Sequence, residues 1–390
     1  MKSILSDRMQ VITALGIVQI FAWGSTYYLL AVLTEPILAD TGWPTTAITA
    51  GISLGLLASG LVAMRIGRLI QTHGGRPVLA GAMLLIAAGL ALLAAAPNVA
   101  VYLLAWVVIG VGMGAGLYDA AFSTLGRLYG TDARRAITTL TLWGGFASTV
   151  CWPISAYAVE TLGWRGTCIA YAAFHLLVTL PLCLFVLPRQ QPLVPESEQT
   201  LPVPEPNVLR DPRFWLMAVA GTTLSVVATV WSVHLISILQ SQGVSLVAAV
   251  GLGMLIGPAQ VGARVVEMAS GGRHHPIWTM LAATVLVAIG FLGLLAQMPA
   301  SAALIAYGAG NGIWSIARGA LPLALFGAKE YPSIMGRLAT PSLLASAAAP
   351  SVGAILLNSF GGQATLAVLS AAALLPIVCA LTLFRISRRS

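Results

Sequence analysis

The sequence contains few charged residues. Only 8% of its 390 residues are Asp, Glu, Lys or Arg, against about 25% in a typical soluble domain. Hydrophobic residues make up 58% of the chain, above the roughly 45–50% of soluble proteins. So low a charge density excludes an ordinary globular enzyme and predicts a chain that crosses a lipid bilayer several times.

Cysteine is also scarce, with four residues in the whole chain. Cys151, Cys168, Cys183 and Cys379 all lie in apolar segments, without the spacing of a metal site or of a disulfide framework. We interpret them as buried, inert thiols and expect neither a metal nor a cofactor. The sequence also has no phosphate-binding loop and no evident catalytic nucleophile, so we predict that the protein is not an enzyme.

What the sequence does contain is a series of apolar runs, each long enough to span a bilayer as a helix of about 20 residues. They predict an all-α membrane protein with twelve transmembrane helices. The predicted spans are 11–34, 46–66, 77–96, 100–126, 137–160, 166–187, 214–238, 246–268, 276–296, 301–326, 334–358 and 363–384. The first run has no cleavage-site pattern, so we interpret it as a span rather than a signal peptide.

Basic residues are distributed very unequally between the two sides of these spans. Nearly all of the 20 Lys and Arg residues fall in the even-numbered connections or near the termini, whereas Arg165 alone falls on the opposite side. This bias predicts that both termini are cytoplasmic. The net charge of +8 therefore reflects membrane orientation, and we expect no nucleic-acid partner. A bacterial inner membrane is the expected location.

The chain divides into two similar halves. A Pro-rich and acidic stretch at 188–213 predicts a cytoplasmic linker between six-helix bundles at 1–187 and 214–390. Arg68 and Arg264 are 196 residues apart, as are Gly112 and Gly308. Recurrence of unrelated features at one shift indicates a tandem duplication. Two such bundles are typical of carriers that bind their substrate at the interface of the repeats.

The loop after the second span is "GRLIQTHGGRPV", and the second half contains the weaker copy "ARVVEMASGGR". These motifs, the span count and the central linker resemble the major facilitator superfamily, and "GWPTTAITAGISLGLLASG" and "GWRG" loosely resemble its monocarboxylate and oxalate/formate branch. The resemblance implies alternating access and a cytoplasmic gate; the alternative interpretation is a tight basic turn that only sets orientation. The candidate gate residues are Gly67, Arg68, Gln71, Gly75, Arg76, Arg264, Glu267 and Arg273. Gln71 stands where the family usually has Asp.

Two charges inside apolar spans are the strongest candidates for a site. Arg318 lies in span ten, on one helical face with Asn311, Trp314 and Ser315. A charge within the membrane is costly and usually faces a cavity, although a long arginine can also reach the interface. Asp119 in span four is either a cavity carboxylate that binds a proton or pairs with Arg318, or a structural partner of Arg65 or the gate arginines.

Span one adds a polar and aromatic stripe, which Gln19, Trp23 and Tyr27 form at intervals of four residues. Together with the resemblance, these residues predict a secondary transporter for a small organic anion such as a carboxylate, with or without coupling to protons, that is functional as a monomer. An exporter of amphiphilic drugs or metabolites is the first alternative. A membrane sensor that does not transport is the second.

Overall fold

The computed structural model describes residues 2–190, 208–271 and 273–388, with side chains from residue 8 onward. Within these ranges every regular element is helical. The α-helices are α1 Lys2–Gly24, α2 Leu30–Thr41, α3 Thr45–His73, α4 Gly75–Ala94, α5 Val99–Gly116, α6 Tyr118–Tyr129, α7 Ala133–Gly145, α8 Ala147–Phe174, α9 Pro212–Ser241, α10 Leu246–Gly253, α11 Ile256–Ala269, α12 Pro276–Leu295, α13 Ala300–Phe326 and α14 Tyr331–Ser387. Most of the predicted linker at 188–213 lies outside the described residues.

All twelve predicted spans are occupied by helix, which confirms the all-helical fold. Spans two, three, seven, nine and ten are the single helices α3, α4, α9, α12 and α13. Spans one, four, five and eight are each interrupted, giving α1–α2, α5–α6, α7–α8 and α10–α11. Span six is the second part of α8 and the π-helical turns that follow it.

Two helices bend sharply at glycine and hold two spans each. Gly163 (φ 71°) divides α8 into the end of span five and the start of span six. Gly361 (φ 80°) divides α14 into spans eleven and twelve. A positive φ strains any residue with a Cβ atom, so glycine is required at both bends. They are 198 residues apart, close to the repeat shift seen in the sequence.

Seven continuous helical stretches in the described residues are long and apolar enough to cross a membrane by these two measures alone. The number is below twelve partly because Val99–Val186 and Tyr331–Ser387 each contain several spans. Neither α1 nor α13 is among the seven. The helix α1 contains Gln19 and Trp23 of the candidate polar stripe, and α13 contains Arg318, so the lower apolarity coincides with the candidate site.

Each half of the molecule has its own hydrophobic core. One core is built almost entirely from residues between Val11 and Leu187, and the other from residues between Met217 and Leu383. The two halves pack on each other mainly through α3, α6 and α7 of the first half and α11, α13 and α14 of the second. We call the end of the bundle where Gly67 meets Gly336 the closed end.

Candidate functional site

Asp119 and Arg318 form an ion pair between the two halves. The Arg318 guanidinium donates a hydrogen bond to Oδ1 of Asp119, and the two side chains are 27% and 20% exposed. Asp119 lies in the first turn of α6 because α5 ends at Gly116 and Leu117 is extended (φ −82°, ψ −167°). A carboxylate at a helix N-terminus is favoured by the helix dipole. Arg65, the other partner considered from the sequence, has an exposed side chain.

A small cavity adjoins this ion pair. It is lined by Asp119, Arg318 and Trp314 together with residues of α9 and α14, among them Met217, Ser225 and Met335. The space open to the centre of a water-sized sphere is about 30 Å³, enough for about two water molecules. An organic substrate therefore needs a rearrangement in which Asp119 or its neighbours move away from Arg318.

The other candidates on α13 differ in what they contact. Trp314 is 8% exposed and borders the cavity. Ser315 donates its hydroxyl to the Gly312 carbonyl 2.7 Å away on its own helix. Asn311 is half-buried one turn before Ser315. The α13 face predicted from the sequence thus has Arg318 and Trp314 at the cavity, while the Ser315 hydroxyl is used within the helix.

Gln19 is fully buried and does not line the cavity. Its Nε2 donates a hydrogen bond to the Gly116 carbonyl oxygen at 2.7 Å. That carbonyl lies at the end of α5, where the break at Leu117 interrupts the regular helical pattern. In this structure Gln19 therefore stabilises the break in span four, and its contact with substrate stays a prediction.

Trp23 and Tyr27 belong to a group of rings between the halves. The Trp23 ring lies 5.4 Å from Tyr27, 6.0 Å from Tyr28 and 5.3 Å from Tyr118, measured between centroids. The Tyr27 hydroxyl interacts with the side chain of Thr229 on α9 of the other half. We call Trp23, Tyr27, Tyr28 and Tyr118 the ring wall. Tyr28 and Tyr118 are not among the residues predicted from the sequence.

Arg264 lies elsewhere than its sequence motif implied. The sequence places it with the cytoplasmic loop, but in the structure it is inside α11 and only 5% exposed. Its Nε donates to the Gly312 carbonyl at 3.1 Å, and its Nη1 donates across the interface to the Thr141 carbonyl at 2.9 Å. These contacts with α13 and α7 hold its side chain in the interior. It connects the halves near Tyr118 rather than at the loop.

At the closed end, Gly67 and Gly336 cross at van der Waals distance. A Cβ atom on Gly336 would lie 3.2 Å from the Cα of Gly67, so only glycine fits without displacing the partner helix. One turn further, Gln71 donates its side-chain N–H to the Lys329 carbonyl of the other half. The Gly75 N–H donates to Oε1 of Gln190 at 3.3 Å. Three of the candidate gate residues thus participate in contacts at this end.

An ionic cluster adds a second connection there. Oε1 of Glu267 lies 3.6 Å from Nη2 of Arg134, 3.2 Å from Nε2 of His274 and 2.9 Å from the Thr279 hydroxyl. Burial lowers the pKa of Arg134 below its usual value, and the neighbouring Glu267 carboxylate partly offsets this effect. The sequence predicted Glu267 but not Arg134, which was visible only as one of many basic loop residues.

The three remaining gate candidates are more open to solvent. Arg68 and Arg273 have exposed side chains, and Arg76 is half-buried. Arg68 and Arg264 occupy equivalent positions in the two repeats, yet one is at the surface and the other is in the interior. A role in gating for these three arginines stays a prediction.

Comparison with known proteins identifies a family and a curated relative that are similar to this chain. The family model of the Major Facilitator Superfamily matches residues 15–273, about two thirds of the chain. Among curated proteins, "Transcription regulatory protein OpdE" of Pseudomonas aeruginosa is 27% identical over 188 residues. That match covers 48% of this chain and 44% of OpdE, so the chain matches less than half of the length of that relative.

Several solved structures share the whole fold. The human organic anion transporter MFSD10 (TETRAN) has a TM-score of 0.73 at 15% identity, with 96% of this chain and 99% of that chain covered. FucP in its outward conformation has a TM-score of 0.75 at 14% identity, covering 98% and 99%. The proton:xylose symporter XylE has a TM-score of 0.72 at 12% identity, covering 97% and 96%. At these identities the likeness concerns the fold alone.

Proposed function

Because the chain belongs to the Major Facilitator Superfamily, we propose that it is a secondary active transporter that works by alternating access and carries a small organic anion, bound through a carboxylate. The observation that carries this proposal is the ion pair of Arg318 and Asp119 beside the cavity. The permanent cation is positioned between the halves, where a carrier of this architecture binds its substrate.

The chemistry of the pair favours an anion that competes with Asp119. A guanidinium has five N–H donors in a planar fork and can hold a carboxylate through two parallel hydrogen bonds. A substrate carboxylate has the same shape and charge as the Asp119 side chain, so it can replace that side chain on Arg318. Since either partner neutralises the guanidinium, the cavity can close around a neutral pair with or without substrate.

Asp119 is the residue that we assign to coupling. When a substrate displaces it, the carboxylate either remains ionised in water or takes up a proton, and uptake of a proton would couple transport to a pH gradient. Without substrate, Asp119 pairs with Arg318. Coupling to protons therefore requires the substrate to change the surroundings of Asp119.

The orientation follows from the distribution of basic residues. With both termini in the cytoplasm, the closed end is the cytoplasmic end, and the molecule is in an outward-facing or occluded state. Transport then requires α3 and α7 to separate from α14 and α11, which breaks the Arg264–Thr141 and Arg134–Glu267 contacts. We propose a bacterial inner membrane as the location and the monomer as the functional unit.

The decisive experiment is counterflow in proteoliposomes with the Arg318→Lys variant. We expect exchange of labelled monocarboxylates to fall at least about a hundredfold, because lysine cannot form the bidentate contact, while the protein still inserts and elutes as a single species. Arg135→Lys is the matched control, since Arg135 is an exposed arginine outside the cavity. Undiminished exchange by Arg318→Lys would remove Arg318 from the binding site.

Replacement of Asp119 separates its two roles. If Asp119 couples transport to protons, Asp119→Asn should abolish uptake driven by a pH gradient and leave exchange at equal pH on both sides. If both activities survive, Asp119 is only a structural partner of Arg318.

The same counterflow assay separates the alternatives. Exchange restricted to cationic amphiphiles would indicate the drug or metabolite exporter, with Asp119 as the attracting charge. The name of OpdE, the similar Pseudomonas protein, describes a transcription regulatory protein, and this supports the sensor as a second candidate. Complete absence of exchange, together with ligand-dependent thermal stabilisation, would support the sensor.

A further inference from the structure

The ring wall adjoins the proposed anion site on the side of the first half. Tyr118 is the residue before Asp119, and its ring stacks on Phe122 at 5.1 Å with an interplanar angle of 14°. Tyr118 also interacts electrostatically with both Arg264 and Arg318. On the opposite edge, Tyr27 interacts with Thr229, whose hydroxyl donates to the carbonyl of the cavity residue Ser225 at 2.8 Å. None of the four rings lines the present cavity, but Tyr118 and Tyr27 connect the ring wall to the cavity residues Asp119 and Ser225, so a cavity that widens on this side meets the rings next.

One polar atom of this wall has no partner. The Nε1–H of Trp23 is buried and has no hydrogen-bond acceptor within the described part of the chain. Buried indole N–H groups usually find a partner because the loss of water is otherwise uncompensated. The neighbouring rings of Tyr27 and Tyr28 are half-buried, so part of the ring wall is exposed. An unpaired donor on an aromatic surface is suited to a ligand that brings both a flat apolar face and an acceptor.

We propose that the transported anion is an aromatic carboxylic acid, whose carboxylate binds Arg318 and whose ring packs on Trp23 and Tyr118. A second acceptor on the ring takes the Trp23 N–H. This inference rests on the proposed function, since it names the body of the anion that Arg318 holds. Aromatic rings prefer offset or edge-to-face contacts with centroids about 4.5–7 Å apart. The rings of the wall already contact one another at 5.3–6.0 Å, so the substrate ring packs on the faces that these contacts leave uncovered.

Four small probes separate the contributions of ring and charge. We would compare 4-hydroxybenzoate, cyclohexanecarboxylate, acetate and benzylammonium in thermal-shift titrations of the purified protein and as competitors in counterflow. 4-Hydroxybenzoate should bind about tenfold or more tightly than acetate, with cyclohexanecarboxylate in between, because ring contacts are worth about two- to tenfold beyond apolar burial alone. Benzylammonium has the ring without the acid and should not compete.

Variants of the wall test the assignment to residues. Trp23→Leu should weaken 4-hydroxybenzoate about tenfold and leave acetate unchanged, whereas Trp23→Phe should retain the ring contact and lose only the advantage of the second acceptor. Trp278→Phe is the matched control, since that tryptophan is 48% exposed and contacts Phe384 instead. Tyr27→Leu provides a second variant should Trp23→Leu fail to fold.

The outcomes distinguish this inference from the proposed function. Equal binding of acetate and 4-hydroxybenzoate, or a Trp23→Leu variant that keeps the preference, would overturn the aromatic substrate while anion transport through Arg318 stands. If the wild-type protein bound none of the three carboxylates, or preferred benzylammonium, the proposed function itself would be overturned.

Discussion

Spans four and ten occupy equivalent positions in the two halves, but their backbones differ at equivalent residues. Span four breaks between Gly116 and Tyr118 into α5 and α6, whereas α13 runs without interruption from Ala300 to Phe326. The break presents Asp119 at a fresh helix N-terminus. The continuous helix presents Arg318 from its interior instead. The duplication has thus diverged so that one half supplies an anion and the other half a cation.

The two halves nevertheless share one polar feature, a buried carbonyl at equivalent positions that accepts a hydrogen bond from a side chain. The Gly116 carbonyl accepts Nε2 of Gln19 at 2.7 Å, and the equivalent Gly312 carbonyl, 196 residues later, accepts Nε of Arg264 at 3.1 Å. In the first half the donor comes from the same half and stabilises a break. In the second half the donor also reaches Thr141 across the interface. A shared backbone position has therefore become a static support in one half and a contact between the halves in the other.

The largest effect is expected where the backbones of the two halves meet, at the Gly67–Gly336 crossing. Either Gly67→Leu or Gly336→Leu places a side chain against the partner backbone, and overpacking of this kind costs about 1–3 kcal/mol. That energy shifts the population of the closed state by about 5–150-fold. Counterflow should fall accordingly, and spin labels on both sides of the closed end should report a longer distance.

The control for this prediction is Gly257→Leu, because the space around Gly257 is open. Both leucine variants should act alike, since each glycine meets the other. A defect in only one of them would show that the crossing is not the common cause.

A smaller effect is expected at the Gly116 carbonyl of span four, which accepts the hydrogen bond from Gln19. Gln19→Leu leaves the Gly116 oxygen buried without a donor, which should lower the free energy of unfolding by about 1–3 kcal/mol. The exposed Gln240 offers a control, since Gln240→Leu should change stability by less than about 0.5 kcal/mol. Thermal unfolding in detergent measures both variants. If Gln19→Leu lowered substrate affinity at unchanged stability, Gln19 would belong to the binding site after all.

The ion pair and the closed end also show how much of the site could be predicted from the sequence. Arg318 and Asp119 were predictable because a charge in an apolar run is costly and must be compensated. Of the two glycines of the crossing, Gly67 was predictable from the loop motif, whereas Gly336 lies outside both copies of the motif and was not predicted. Even the twelve spans followed from apolar length, since a bilayer imposes that length on any helix.

The missed features depend on the path of the backbone. Leu117 is an ordinary apolar residue, so nothing in the sequence marked the break that gives Gln19 its role. Arg264 lies in a motif copy that suggests a loop, but its side chain is buried against the carbonyls of Gly312 and Thr141 on two other helices. No sequence feature distinguishes Arg134 from the other basic loop residues, and its role depends on the approach of α7 to Glu267. In each case a long-range contact, not local propensity, determines the role.

The smallest effect is expected at the N-terminal caps of two helices, one in each half. Asn98 caps α5 with a neutral amide, which accepts from the Val101 N–H at 3.0 Å. Asp211 caps α9 with a carboxylate, which accepts from the Arg213 backbone at 2.8 Å and pairs with the Arg213 side chain. These bonds with Arg213 hold the pKa of Asp211 below its usual range.

A depressed carboxylate pKa contributes stability above the unfolded pKa of about 3.9, and this contribution is lost as the pH falls through the lower, folded pKa. Asp211→Asn keeps the cap and should cost about 0.5 kcal/mol at pH 7, because the ion pair is partly exposed. The difference from wild type should vanish once the pH lies below the lowered pKa of the folded state. Asn98→Ala should instead cost about 1 kcal/mol at both pH values. Unfolding measured at pH 7 and at low pH checks both variants, and an Asp211→Asn deficit that persisted in acid would show that the carboxylate acts through its shape and not its charge.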